Sequence, residues 1–263
     1  MYKLKMKLGV VLFGLFGLVS TSHAALNDLG NGQVDDTTLN ITWLKDANFV
    51  KTSCDANNAL WQAFNPATLP AAEQSGNTKA QICAQDGKLN GFEAKAWIAV
   101  LNAQNYLGHN DWRQPATVQP DASCETQIVG VGAVSYGYNC TGSEMGNLFN
   151  VTLSNPNHAG TGATGGTPGT ACSPNCFTNT GPFTHIPATS YQSYWSGTDY
   201  FSSGTGFFYD FLEGDQSFAP KRINNMYVWP VHSNKPASVP TLSLWGLGFM
   251  SLLLAFVARR KAR

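Results

Sequence analysis

Six cysteines and a few carboxylates and carboxamides carry most of the reactive chemistry this chain offers. Cys54, Cys83, Cys124, Cys140, Cys172 and Cys176 form an even set, which in an exported chain reads as disulfides. Sequence alone does not choose among the connectivities. Pairing of neighbours is expected, as Cys54–Cys83, Cys124–Cys140 and Cys172–Cys176, each closing one loop-like stretch. Cys172-x-x-x-Cys176 also resembles half of a zinc site, but tetrahedral zinc needs four ligands and no second Cys/His pair stands at a matching spacing. Glu213, Asp215, Asn224 and Asn225 fall in turn-like segments and are weak calcium candidates, since calcium takes about six to eight oxygens, often from loops. Asn and Asp are equally the ordinary residues of turns, and no EF-hand spacing is present. Calcium is the one cofactor these residues suggest, and none of them stands at the spacing of a known metal motif.

The motifs of nucleophilic and metal-assisted catalysis are missing. There is no Gly-x-Ser-x-Gly elbow, His-Glu-x-x-His or P-loop. Ser196 has no elbow around it, and His109, His158, His185 and His232 are scattered. Asp111 and Arg113 are expected to pair across the tight loop before Pro115. Glu144 is expected to be accounted for by helix capping. Trp43, Trp97, Trp112, Trp195 and Trp229 read as core, because aromatics dominate domain interiors. Trp61 is the tryptophan most free for a surface role.

These residues need elements to hold them. Asp35–Leu44, rich in Thr and Ile, reads as an opening strand. Residues 50–87 read as an insertion with a short helix near Ala71. Asn90 and Glu93 form a capping box. The helix after it puts Phe92, Ala96, Trp97, Val100 and Leu101 on one face, and Gly108 ends it. A second helix is expected from Thr141-Gly142-Ser143-Glu144, with Met145, Leu148 and Phe149 buried. Asn155 to Gly181, rich in Gly, Thr and Pro, reads as a long surface loop. Short strands follow at Tyr194–Thr198, Gly206–Leu212, Gln216–Ala219 and Met226–Val231, with turn residues between them. Two helices and an antiparallel meander make the fold class α+β.

The two ends are of another kind. Lys3, Lys5 and Lys7 precede an apolar run, Leu8–Val19, and a small polar stretch. That is the layout of a signal peptide, with cleavage by signal peptidase expected between Ala24 and Ala25. Leu242–Ala258 is apolar apart from two serines and is followed by Arg259, Arg260, Lys261 and Arg263. This is expected to be a short transmembrane helix with its basic tail kept in the cytoplasm. Residues 1–24 are thus a signal peptide, 25–233 an extracytoplasmic domain, and 234–263 a linker, sorting motif, helix and basic tail. Between the ends, nine basic residues face all 16 acidic ones, a net of −7 on a chain that is neutral as a whole. No basic stripe exists, which argues against nucleic acid as a partner.

Val239-Pro240-Thr241-Leu242-Ser243, then Trp245-Gly246, a hydrophobic helix and an Arg/Lys tail resemble the IPTL-CTERM class of sorting signals, related in layout to PEP-CTERM tails. Val239 stands where Ile is usual, and Leu244 where an acidic residue is common. The resemblance implies an exosortase-type sorting enzyme that processes the chain near the Pro motif. The central region resembles the Lcl C-terminal domain family. The residues that carry this are Thr38–Leu44 with Asp46-Ala47, Ala96-Trp97, Leu101-Asn102, Asp111–Pro115, Glu144–Gly146, Leu148-Phe149, Tyr194–Thr198 and Tyr227–Val231. That resemblance implies a C-type-lectin-like mixed fold whose loops present a ligand surface. It names no ligand, because fold is not function.

The expected function is a non-enzymatic module exported across the inner membrane and membrane-anchored by its C-terminus. It would then stand at the cell surface or in the extracellular matrix, binding glycan or another surface polymer in adhesion. The alternatives are a hydrolytic enzyme on the same scaffold and a structural surface protein without a small ligand.

Overall fold

In a computed structural model of the protein, which describes residues 26–130, 132–156, 176–187 and 192–234, the opening strand expected at Asp35–Leu44 turns back on itself. After β1 (Leu26–Asp28), β2 (Gln33–Asp36) runs into a turn and returns as β3 (Ile41–Leu44). Asp36 causes the break. Its Oδ1 accepts hydrogen bonds from Thr38 N and Leu39 N, the side-chain turn that competes with a continuous strand. Asn40 then takes φ 54°, a left-handed position that Asn tolerates. The signal peptide, most of the Gly/Thr/Pro-rich stretch and the C-terminal hydrophobic segment lie outside the described residues. Among the described residues, no helix is long and apolar enough to cross a membrane.

Residues 50–87 are not an appended insertion. They hold three short helices, α1 (Phe49–Asp55), α2 (Ala59–Ala63) and α3 (Lys79–Ala84), and the chain near Ala71 is a turn. Phe49, Val50, Leu60, Trp61, Phe64 and Ile82 are buried in one core with Trp97 and Leu101. Trp61 is 6 % exposed, so the expected surface role is not open to it. Its ring meets Phe64 and Trp97 at centroid distances of 5.6 and 6.4 Å. The Cys54–Cys83 disulfide ties α1 to α3.

After β4 (Leu89–Asn90), α4 (Gly91–Ala103) begins at the expected capping box. Asn90 Oδ1 accepts from Phe92 N and Glu93 N, and Glu93 returns the bond to Asn90 N. The buried face is turned from the expected one: Ala94, Trp97, Ile98 and Leu101 are buried, while Phe92, Ala96 and Val100 are half-buried. The helix stops before Asn105, and Gly108 closes a separate single turn.

The Cys124–Cys140 disulfide brackets a hairpin absent from the expected elements, β5 (Thr126–Ile128) and β6 (Val134–Tyr138). Beyond it, α5 (Glu144–Asn147) is a single turn continued by a π-helical one, Leu148–Thr152. Met145, Leu148 and Phe149 are buried as expected. The capping box is not formed. Ser143 is the N-cap residue without a side-chain cap bond, and its Oγ instead accepts from Val118 N.

Three strands of the expected meander are present, as β7 (Ser193–Tyr200), β8 (Ser202–Asp210) and β9 (Asp215–Pro220). With the hairpin they form an antiparallel sheet in the order β5-β6-β9-β8-β7. The fourth strand does not join as a strand: only Tyr227 bridges β7, in parallel, its N donating to Ser193 O and its O accepting from Trp195 N. The ends of the expected strand divide between β10 (Asn225–Met226), paired with β4, and β11 (Val231–Ser233), paired with β3. Pro230, which has no N–H for a ladder, stands between them, and its carbonyl accepts from Leu44 N. β11 completes a second sheet, β1-β2-β3-β11. The fold is mixed α+β with antiparallel sheets and few helices.

A second core lies between the sheets around Trp43, Phe149, Phe177, Tyr194, Phe211, Tyr227 and Trp229. The tryptophans read as core are buried at 2 % exposure or less. Trp195 donates to Leu89 O, Trp229 to Leu44 O and Trp112 to Tyr106 O.

Candidate binding cleft

The segment Asn105–Thr117 is built to be rigid. Asn102, on the last turn of α4, clamps the backbone of Trp112 from both sides: Trp112 N donates to its Oδ1 at 2.7 Å, and its Nδ2 donates to Trp112 O at 2.9 Å. Arg113 pairs with Val231 through two backbone hydrogen bonds of 2.7 and 2.9 Å. Its guanidinium makes a two-pronged contact with Glu144 at 2.6 and 2.7 Å. Glu144 also accepts from Ala116 N at 2.7 Å. This corrects two expectations. Arg113 faces Glu144 and not Asp111, and Glu144 is a clamp between two segments and not a helix cap. A planar guanidinium fits a carboxylate with two parallel bonds, which Asp111, two residues away, is not placed to accept.

Ser196 is buried and its hydroxyl is fully used, donating to Pro115 O and accepting from Thr117 Oγ1, both at 2.9 Å. No histidine is among these partners. Gly197 N donates to Pro115 O. A Cβ on Gly197 would stand 3.3 Å from Gln114 O, so the close approach of the two segments favours glycine there.

Between this segment, α4 and β7 lies a cleft of about 360 Å³ lined by Lys95, Ile98, Trp112, Arg113, Gln114, Ala116, Gly197 and Thr198. At its edge Asp199 is shared by two ammonium groups, Lys95 at 3.3 Å and Lys221. Lys221 is almost wholly buried, with its stem against Gly91 and Gly206. Burial alone would raise Asp199, but Lys221 and Lys95 outweigh it and hold the carboxyl below its ordinary range. Burial pulls Lys221 below its ordinary value; Asp199 opposes this and Lys95 reinforces it. Gln114 is 6 % exposed, and its Nε2 has no hydrogen-bond partner among the described residues. Sequence reasoning singled out Gln114 and Thr198 as motif letters but missed Lys95, Asp199 and Lys221. Their signal was faint: isolated charges in or beside apolar segments.

His109, Asp111 and His232 bring ligand-type atoms within 4.8 Å of one another on the far side of Trp112. The two imidazoles are stacked, with centroids 3.8 Å apart and planes 21° apart. Ring-plane lone pairs in that arrangement run nearly side by side and do not meet on one ion about 2 Å from each nitrogen. His232 Nδ1 faces Ser233 O and Nε2 faces Gln33 Oε1, and the neutral ring donates to one of these two oxygens. Burial holds His232 below its ordinary pKa. The group as placed is a stacked histidine pair rather than a metal centre. In two other close groups, Cys54/Asp55/Cys83 and Asp121/Cys124/Cys140, the cysteines are in disulfides and offer no thiolate. Cys176 is disulfide-bonded as well, which removes it from any zinc site, and Cys172 lies outside the described residues.

The four calcium candidates are not brought together. Glu213 and Asp215 lie at the start of β9, while Asn224 and Asn225 lie beyond its other end. Six strand residues span about 16 Å, too far for one ion. Asn224 Nδ2 donates to Pro220 O, and Asn225 pairs with Asn90 in the β10–β4 ladder. Asp215 is pushed up to about 7 by burial and by the neighbouring charges of Asp210 and Glu213.

Residues 237–263 match the IPTL-CTERM motif. This stretch, outside the described residues, contains the expected sorting residues Val239, Pro240, Thr241, Leu242, Trp245 and Gly246. The match makes the C-terminus a sorting signal of the kind a sorting enzyme processes, and it points to export with anchoring at that end. No curated protein and no solved structure matches the chain.

Proposed function

We propose that this chain is an exported, surface-anchored, non-enzymatic module that binds glycan or another surface polymer, in adhesion or in an extracellular matrix. The observation that carries the reading is the sorting motif at residues 237–263 on a chain whose preceding residues form a disulfide-bearing domain. Signal peptidase removes residues 1–24 and an exosortase-type enzyme acts near Pro240. The domain ahead of the tail is of Lcl C-terminal type, a C-type-lectin-like mixed fold, and the cleft beside α4 is its ligand seat. Apolar Ile98, Trp112 and Ala116 beside polar Lys95, Gln114 and Thr198 suit a sugar ring, which has apolar C–H faces and hydroxyl edges.

The test is a glycan array probed with the full chain in mild detergent, with and without calcium. Saturable binding that weakens when Thr198 is replaced by Val or Ala116 by Trp supports the reading. A catalytic turnover of the arrayed glycans, or no binding to any of them, overturns it.

A further inference from the structure

We propose that one end of the five-stranded sheet, carrying the β5–β6 turn and Phe201, is a second membrane contact that dips into the bilayer holding the tail. The proposal rests on anchoring through the C-terminus and not on polymer binding.

The first observation is where the exposed apolar side chains stand. Val129, Ile223 and Phe201 are the most exposed large apolar side chains among the described residues, at 87, 76 and 66 %. Singly such residues are ordinary, but these share one end of one sheet. β8 begins and β9 finishes there, with Thr205 opposite Pro220 and Lys221 N donating to Gly204 O. β6 runs antiparallel to β9, with Gly137 opposite Gln216, so its first residue, Val134, lies towards the same end. The two turns also touch. The Phe201 ring lies against Gly132, where an added Cβ would overlap it. Ile128 extends the exposed apolar set along β5. Grouped exposure of this kind marks an interaction surface.

The second observation is what stands behind Phe201. The residue itself has φ 44°, a left-handed position uncommon for a bulky side chain, so neither burial nor backbone preference accounts for a phenylalanine there. Its ring meets Tyr200 at a centroid distance of 4.5 Å, Tyr200 stacks on Phe218 at 4.0 Å, and Tyr136 meets Phe218 at 5.7 Å. These three further rings are half-buried. An apolar tip backed by tyrosines matches the layering of a bilayer interface, where amphipathic rings sit at headgroup level.

Charge and reach single out the bilayer as the occupant. The region between the chain's ends is −7, yet residues 126–138, 200–209 and 216–224 contain no acidic residue. Lys221 is paired with Asp199, and Arg222 is exposed at this end, suited to a lipid phosphate. Residues 235–241 separate Asn234 from the apolar segment opening at Leu242, a reach of about 25 Å when fully extended. A surface held that close acts at high effective concentration, so a small apolar tip suffices.

The experiment reconstitutes the full chain into vesicles of phosphatidylcholine and phosphatidylglycerol, with and without bromine on the acyl chains as a short-range quencher of tryptophan. Val129→Trp reports the tip, and Leu29→Trp, exposed beyond β1 of the other sheet, is the control. The Val129→Trp signal is expected to lose about half or more of its added emission in brominated lipid, with Leu29→Trp unchanged. Phe201→Ser in the Val129→Trp background should reduce that quenching about twofold at an unchanged melting temperature. The described tryptophans are all buried, so quenching in the parent reports Trp245 and with it the tail. A quenched parent with no added quenching in Val129→Trp, or equal quenching of both reporters, overturns the tip contact and leaves the anchor standing. Quenching in neither parent nor variant removes both. A Val129→Trp emission that moves to the blue with protein concentration in detergent, without lipid vesicles, assigns the tip to a second copy of the chain and overturns the membrane contact.

Discussion

Glu144 shows how much one side chain does here. It joins the loop before Pro115 to α5 by accepting two bonds from Arg113 and one from Ala116 N. Replacing it with Ala strands the Arg113 charge and a backbone donor. Because Arg113 is partly exposed, water recovers part of the loss. We expect Glu144→Ala to cost about 2 kcal/mol in urea unfolding and to loosen the cleft wall. Asp215 behaves in the opposite sense. Its carboxyl is raised to about 7 in the fold, by burial first and then by Asp210 and Glu213. The folded state therefore favours the protonated form. That stability is fully present below the unfolded value near 4, falls as pH rises, and is gone above about 7. Asp215→Asn should be more stable than the parent at pH 8, on the order of 2 kcal/mol, with the gap closing towards pH 4. Thermal melts across pH 4–8 read this directly; a gap that widens in acid would disprove the assignment.

Among the elements, the β5–β6 hairpin depends most on a covalent staple. It pairs three residues on either side, it sits at a sheet edge, and β6 meets β9 over only Gly137 and Tyr138. Short isolated hairpins are marginal in water. Cys124–Cys140 closes it over a sequence separation of 16, a loop for which a disulfide contributes about 3 kcal/mol. Replacing both cysteines by Ser should lower the melting temperature and raise amide exchange in β5 and β6 before the rest of the sheet. Alkylation of unreduced, denatured protein should label none of the six cysteines, and labelling of two or more would break the disulfide framework. α4 needs no such staple, since its first turn is closed by Asn90 and the buried Glu93, which also accepts from Ser75 N and Oγ.

For the whole molecule, the decisive feature is the tail. The four basic residues after Ala258 are costly to move through hydrocarbon, and a proline at position 240 would break a helix entering the proposed anchor. A reporter fused after Arg263 should stay cytoplasmic. Replacing Val239-Pro240-Thr241 by alanines should block processing without blocking membrane insertion, as read by the mass of the mature protein. Recovery of Arg263 on the processed surface form would show that no cleavage occurs.

The sequence by itself determined the features that depend on near neighbours. The sorting motif was legible because its order of Pro, apolar run and basic cluster is contiguous. The start of α4 was legible because a capping box spans four residues, and β7, β8 and β9 because alternation and turn residues are local signals. Only the tertiary structure decided who meets whom. Arg113 found Glu144, 31 residues on, instead of Asp111 beside it, because the chain reverses between them. Lys95 and Lys221 reached Asp199 from different elements, separated from it by 104 and 22 residues. The calcium candidates looked like one set along the chain but were parted by the length of β9. The last expected strand kept only a bridge from Tyr227 to β7, while its two ends paired with β4 and β3, since Pro230 cannot continue a ladder. Such pairings are set by packing and by the desolvation of charges, which have no period along the chain to be read.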